Sequence, residues 1–106
     1  MNEIQFYLQG IQSRNEIQLD YYDNQCHGYT KISKYDIEGL KINKDKILSS
    51  YSYFNFDDGC YYLEEDCDGL ALQRILENKG YKITYETVNV EPEFFDMNDN
   101  FKRLSI

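Results

Sequence analysis

Twelve consecutive residues, Asp57 to Asp68, read D-D-G-C-Y-Y-L-E-E-D-C-D and carry six of the nineteen carboxylates, two of the three cysteines and no base. Residues of these types support three kinds of chemistry. Clustered carboxylates hold hard cations, thiolates with a histidine hold zinc or act as nucleophiles, and paired acids move protons. Spacing tests each one. With Glu64 as position one, Glu64-Asp66-Asp68-Gly69 imitates the opening of a calcium loop. The seventh, ninth and twelfth positions then fall on Leu70, Leu72 and Ile75, and the twelfth should be a bidentate Glu.

A zinc site fares no better. Cys26 and His27 are adjacent, Cys60 and Cys67 are seven apart, and no pair has the short C-x-x-C spacing of structural zinc sites. Neighbouring strand residues point to opposite faces, so Cys26 and His27 can ligate together only from a loop. A nucleophilic Cys60 or Cys67 would have to reach His27, the only histidine, through the fold. The surrounding carboxylates would raise its thiol pKa and blunt it. Acid and base catalysis needs two carboxyls in contrasted environments, which six acids in an open patch do not offer. Gly59 and Gly69 are isolated among acids and form no phosphate loop. The sequence therefore predicts no catalytic set, no metal site and no cofactor, with a small metal- or thiol-dependent enzyme centred on Asp66, Cys67 and His27 as the alternative.

What remains for the stretch is contact. The net charge is −8, of which these twelve residues supply −6; the other 94, with 13 acids against 11 bases, supply −2. Such a patch repels nucleic-acid phosphates and attracts a cation or a basic protein surface. The expected contact residues are Asp57, Asp58, Glu64, Glu65, Asp66 and Asp68, with Tyr61 and Tyr62 beside them. Helix capping would absorb about two of the acids, and the rest must face water or a partner. Tyr51, Tyr53, Tyr61 and Tyr62 also suit cross-strand packing, the commoner role of paired tyrosines.

The elements that position these residues follow from pattern. Asp57-Asp58-Gly59 separates two aromatic runs and reads as the turn of a hairpin, entered by a strand over Ile47 to Phe56. Leu72, Ile75, Leu76 and Lys79 share one face of a helix capped by Asp66 or Asp68 and ended by Asn78-Lys79-Gly80. Upstream, Asn15 to Tyr22 alternates as a strand, and Met1 to Gly10 is a strand or a short helix joined to it by a turn over Gly10 to Asn15. Tyr29 to Ile32 is a further strand, and Ser33-Lys34-Tyr35-Asp36 opens a short helix that runs to about Ile42. Tyr81 to Val88 is the last strand expected. The order describes one α+β domain over residues 1–90. Its mainly antiparallel sheet has five or six strands, with one main and one short helix on one face. An acidic, aromatic tail follows over 91–106, either docked by its aromatics or loose.

No apolar run is long enough to span a membrane, and Met1-Asn2-Glu3-Ile4 has neither the basic start nor the apolar core of a signal peptide. Three cysteines without an export signal read as free thiols in a reducing cytoplasm.

At Tyr62-Leu63-Glu64-Glu65-Asp66-Cys67-Asp68 the chain resembles a group of small uncharacterised bacteriophage and mobile-element proteins, which carry a similar segment before a helix. In that group a His-Gly lies upstream, before a strand and a short helix, as His27-Gly28-Tyr29 does here. The likeness runs in outline from Cys26 to Val88. Gly69 stands where Ala is common, and the tail after Pro92 has no counterpart. The resemblance implies an origin and the cytoplasm of a bacterial host. By analogy of charge and origin, the expectation is a non-enzymatic protein-binding module that engages a basic surface on a host protein. Its specific form would be inhibition of a nuclease or defence protein by carboxylates that mimic phosphates. The other alternative is a phage structural or assembly protein that self-associates through its Tyr-rich strands.

Overall fold

The computed structural model describes residues 11–13 and 16–104, so the expectation for Met1 to Gly10 lies outside the described residues. Seven strands and two α-helices follow in the order β1 (Ile11–Ser13), β2 (Glu16–Asp23), β3 (Gly28–Ser33), α1 (Lys34–Gly39), β4 (Tyr53–Asn55), β5 (Cys60–Glu64), α2 (Asp68–Asn78), β6 (Lys82–Asn89) and β7 (Phe101–Arg103). A 3-10 turn at Lys44–Lys46 lies between α1 and β4. The class is α+β with a mainly antiparallel sheet. β1 falls inside the segment expected as a turn, pairing Ile11 with Ile17.

Five strand pairings are antiparallel, and β2 with β6 is parallel over its full length, from Glu16↔Lys82 to Asp23↔Asn89. Because β6 takes one edge of β2, β1 and β3 share the other. β5 runs antiparallel to β3 and hence in the same direction as β2 and β6. Parallel strands need a crossover, and α2 supplies it between β5 and β6. One end of the sheet therefore gathers the C-terminal ends of β2, β5 and β6 and the start of β3.

Alternation along the strands sorts the core onto two faces. Ile17, Leu19, Ile32 and Leu63 meet Ile37 of α1, its C-cap Leu40, and Leu72 and Leu76 of α2 on the first. Lys79, expected to lie along this helix face, is exposed at the C-cap. Tyr29, Tyr53, Cys60 and Tyr62 meet Phe95 and Phe101 on the second. Phe95 stacks on Tyr53 at 4.9 Å and contacts Tyr29 at 4.5 Å between ring centroids. The segment after Pro92 thus docks by its aromatics, and β7 adds a strand beyond the one expected to be last. Each such aromatic pair contributes about 0.5–1.5 kcal/mol beyond burial.

The Asp57-Asp58-Gly59 turn forms as expected, with Gly59 at φ +70°, a conformation that favours glycine. Asn55 Oδ1 accepts from the Asp57 and Asp58 amides, at 2.8 and 3.2 Å. The strand entering the turn is shorter than the aromatic run suggests, only Tyr53–Asn55. Asp68 accounts for the difference. Its Oδ2 accepts from the Ser49 amide and the Ser49 hydroxyl, both at 2.8 Å, and from the buried Ser52 hydroxyl. Residues 47–52 coil around that carboxylate instead of extending. Asp68 is 4% exposed, so it is neither the N-cap of α2 nor a surface acid; Cys67 holds the cap position without a side-chain bond.

α1 starts as predicted, with Ser33 Oγ accepting from the Asp36 amide at 3.0 Å. Asp36 is buried, its Oδ1 has no hydrogen-bond partner among the described residues, and burial pushes its carboxyl up to about 6, partly opposed by Ser33.

Two stability predictions follow from these buried acids. Asp68→Ala strands the Ser49 amide and two hydroxyls and should cost about 3–5 kcal/mol in urea unfolding, whereas Asp66→Ala should stay within about 0.5 kcal/mol of the parent. For Asp36, the folded pKa lies above the unfolded value of about 3.9, so the fold binds its proton more tightly. Its contribution is intact below pH ~4 and is lost as pH rises through about 6. Asp36→Asn should therefore raise the urea midpoint at pH 8 and leave it nearly unchanged at pH 4; equal effects at both would refute the assignment.

Candidate functional site

The acidic stretch does not form one patch. β5 separates its two acidic groups, and at about 3.3 Å per residue they stand roughly 15 Å apart. At the hairpin end, Asp58 is committed to structure. Its Oδ1 accepts from the Cys60 amide at 2.8 Å, its Oδ2 from the Tyr62 hydroxyl at 2.6 Å, and Lys31 approaches to 3.8 Å. Among the described residues, only Asp57 is left there without such a role for its side chain. Tyr62 is 2% exposed within the aromatic core, which removes it from the contact residues expected from the sequence, as burial also removes Asp68. Burial and then the Asp58 hydrogen bond hold the Tyr62 phenol above its ordinary range. Tyr61 is half-buried against the helix face.

The other end is built differently. β5 stops at Glu64, and Glu65-Asp66-Cys67 turns the chain into α2. The turn is tied across to the start of β3: the Glu65 amide donates to Gly28 O at 2.9 Å, and Tyr29 is the register partner of Glu64. The Glu64 amide donates to Ser52 Oγ at 3.1 Å, and its Oε2 accepts from the Asp66 amide at 3.0 Å. Glu65 Oε2 accepts from the Tyr21 hydroxyl. Burial first, and then Glu65 itself, hold that phenol protonated well above its ordinary value, so it remains a donor.

Gly28 makes this approach possible. A Cβ there would collide with the Tyr21 ring and stand 2.7 Å from Glu65 Oε2. The residue before it, His27, is exposed but anchored. Its amide donates to Asn24 Oδ1 at 2.8 Å, and its carbonyl accepts from the Asn24 amide at 3.1 Å. Asn24 is itself buried. The result is a rim at the end of the sheet where a ring nitrogen of His27 and one carboxylate oxygen each of Glu64 and Glu65 all lie within 4.8 Å of one another. His27 and Glu64 are 37 positions apart, and the grouping depends on β3 pairing with β5, which residue spacing does not reveal. The sequence reading tied His27 to Asp66 and Cys67; the nearer donors are the two glutamates. His27-Gly28 and Glu64-Glu65 lie side by side.

Two open grooves flank the turn. One, of about 410 Å³, is lined by His27, Tyr29, Tyr51, Glu64, Asp66, Cys67 and Arg103. The other, of about 310 Å³, includes Tyr21, Glu65, Asp66, Leu70 and Tyr85. Asp66 walls both. Tyr51 and Tyr85 are exposed large aromatics, at 62% and 40%. Arg103 lies over the Tyr53 ring and donates to the Ser50 and Tyr51 carbonyls.

All three cysteines are free. Burial and then Asp58 push the Cys60 thiol up to about 11. Desolvation and then the Asp68 hydrogen bond also raise the Cys67 thiol. Neither is poised as a nucleophile near neutral pH. Among the described residues, no helix is long and apolar enough to cross a membrane. No family model, curated protein or solved structure matches the chain.

The thiol environments predict a labelling order. At pH 8, Cys60 should alkylate with iodoacetamide roughly a hundredfold more slowly in the folded chain than in urea, because so little of it is thiolate. Cys67 should also lag its unfolded rate. Peptide mass spectrometry reads both, and rapid native labelling of Cys60 would contradict the assigned environment.

Proposed function

We propose that this protein is a non-enzymatic acidic binding module that engages a basic surface of a partner protein through the β5–α2 rim. The observation that carries the reading is the arrangement of Glu64 at the end of β5 with Glu65 and Asp66 in the turn that follows, between two open grooves, each with an exposed tyrosine. A projecting group of carboxylates is recognised by Lys and Arg side chains, and Tyr51 and Tyr85 offer amphipathic contact area at low entropy cost. Asp23 at the end of β2 adds a fourth carboxylate at the same end of the sheet. The contact surface proposed is therefore narrower than the acidic stretch. It retains Glu64, Glu65 and Asp66, leaves Asp57 at the far end, and omits Asp68 and Tyr62.

A nucleic-acid-binding groove of a host protein is the basic surface to which the phage-like resemblance points, with the carboxylates in place of phosphates. The test is recovery of a partner from a bacterial lysate by the parent chain and by Asp66→Lys combined with Tyr51→Ser, at low and moderate salt. Both positions are exposed, so the variant should keep the parent's unfolding midpoint. A specific partner should be recovered by the parent, weaken with salt, and bind the variant at least about tenfold more weakly. A partner bound equally by both would place the interface elsewhere.

A further inference from the structure

We propose that His27, Glu64 and Glu65 form a binding site for a divalent first-row transition ion of the zinc type at the end of the β3–β5 pair. The donor set is one imidazole nitrogen and two carboxylate oxygens, all within 4.8 Å of one another. Bond lengths of about 2.0–2.2 Å to such an ion place neighbouring donors roughly 3–3.5 Å apart, so small side-chain rotations complete the geometry. Imidazole selects this class over magnesium and calcium, which prefer six or more oxygens. Three protein ligands would leave a coordination position open, and two of them, His27 and Glu64, line the groove beside Tyr29 and Tyr51.

What distinguishes the site from a chance meeting of surface acids is how its ligands are held. Each of the three backbones is fixed by a hydrogen bond from outside the triad: His27 by Asn24, Glu64 by Ser52 and Glu65 by Gly28. Both carboxylates are oriented through one oxygen, Glu64 by the Asp66 amide and Glu65 by the Tyr21 hydroxyl. In each, Oε1 accepts no hydrogen bond among the described residues. Such outer partners fix ligand orientation and typically matter 10–100-fold in affinity. The triad comes from two chain segments brought together by strand pairing, and Gly28 leaves the room that Tyr21 and Glu65 need.

The site shares Glu64 and Glu65 with the proposed partner surface but does not depend on it. Its test uses purified protein without a partner and variants that the partner experiment does not touch. After chelator treatment and dialysis, the chain is titrated with zinc chloride by calorimetry, with magnesium chloride as the control. The expected result is one zinc per chain, unaffected by millimolar magnesium. His27→Gln and Glu65→Gln should each weaken it at least tenfold, and Tyr21→Phe, which keeps all three ligands, should weaken it roughly tenfold. Cobalt bound at the same site should show ligand-field bands without thiolate charge transfer, and Cys67→Ser should leave binding unchanged. His27→Gln should match the parent's metal-free unfolding midpoint, since the side chain is exposed. No zinc binding at 1:1, equal competition by magnesium, binding that survives His27→Gln, or loss in Cys67→Ser would each overturn the assignment.

Discussion

One buried carboxylate, that of Asp68, ties together the parts of the molecule that carry its surface chemistry. It sits in the first turn of α2, where unpaired backbone N–H groups favour a negative charge, and accepts three hydrogen bonds from Ser49 and Ser52. Ser52 Oγ, which donates to Asp68, in turn accepts from the Glu64 amide, and the Ser52 carbonyl accepts from the Leu104 amide. Segment 47–52, β5, α2 and the end of β7 therefore meet at one point. Satisfying this carboxylate bends a chain whose aromatic content would otherwise extend it. Burial of such a group is tolerated because these three donors are aimed at it.

That constraint redistributes the charge of the acidic stretch. Twelve residues with six acids suggest a single negative surface, yet their side chains do three different things. Asp68 organises the interior, Asp58 closes the hairpin by bonding the Cys60 amide and the Tyr62 hydroxyl, and Glu64, Glu65 and Asp66 form a rim. The separation is a property of β5 itself. A five-residue strand carries its two ends too far apart to act on one small ligand. The rim lies where β2, β5 and β6 finish together, a consequence of the α2 crossover, which makes β6 run parallel to β2.

Much of this was legible in the sequence wherever a local rule decides the outcome. Asp-Gly between aromatic runs marks the hairpin, Ser33 with Asp36 marks the start of α1, and the spacing of Leu72, Ile75 and Leu76 marks α2. The failures have a common cause in tertiary contacts. Tyr51 to Phe56 has strand propensity throughout, but its beginning is captured by Asp68, nineteen residues from Ser49. Asp66 and Asp68 look equally suited to cap α2, and only the position of the Ser49 and Ser52 hydroxyls turns one inward. The second aromatic layer depends on Phe95 and Phe101 folding back on Tyr29, Tyr53 and Tyr62, which alternation within strands cannot reveal. The rim triad was hidden for the same reason: His27 and Glu64 become neighbours only through strand pairing.

The rim also has an energetic character that its charge count alone does not convey. Glu64, Glu65 and Asp66 are consecutive, so their like charges are held close by the turn rather than free to diverge. The first turn of α2 and the Asp66 amide and Tyr21 donors offset part of that repulsion. Asn24, Ser52 and Gly28 bind the backbone at this point and hold the turn in one arrangement. A cation of either kind, a bound ion or a basic side chain, would meet carboxylates that the fold has already ordered. Preorganisation by the surrounding fold, more than the number of acids, is therefore what makes this end of the sheet the place to look for binding.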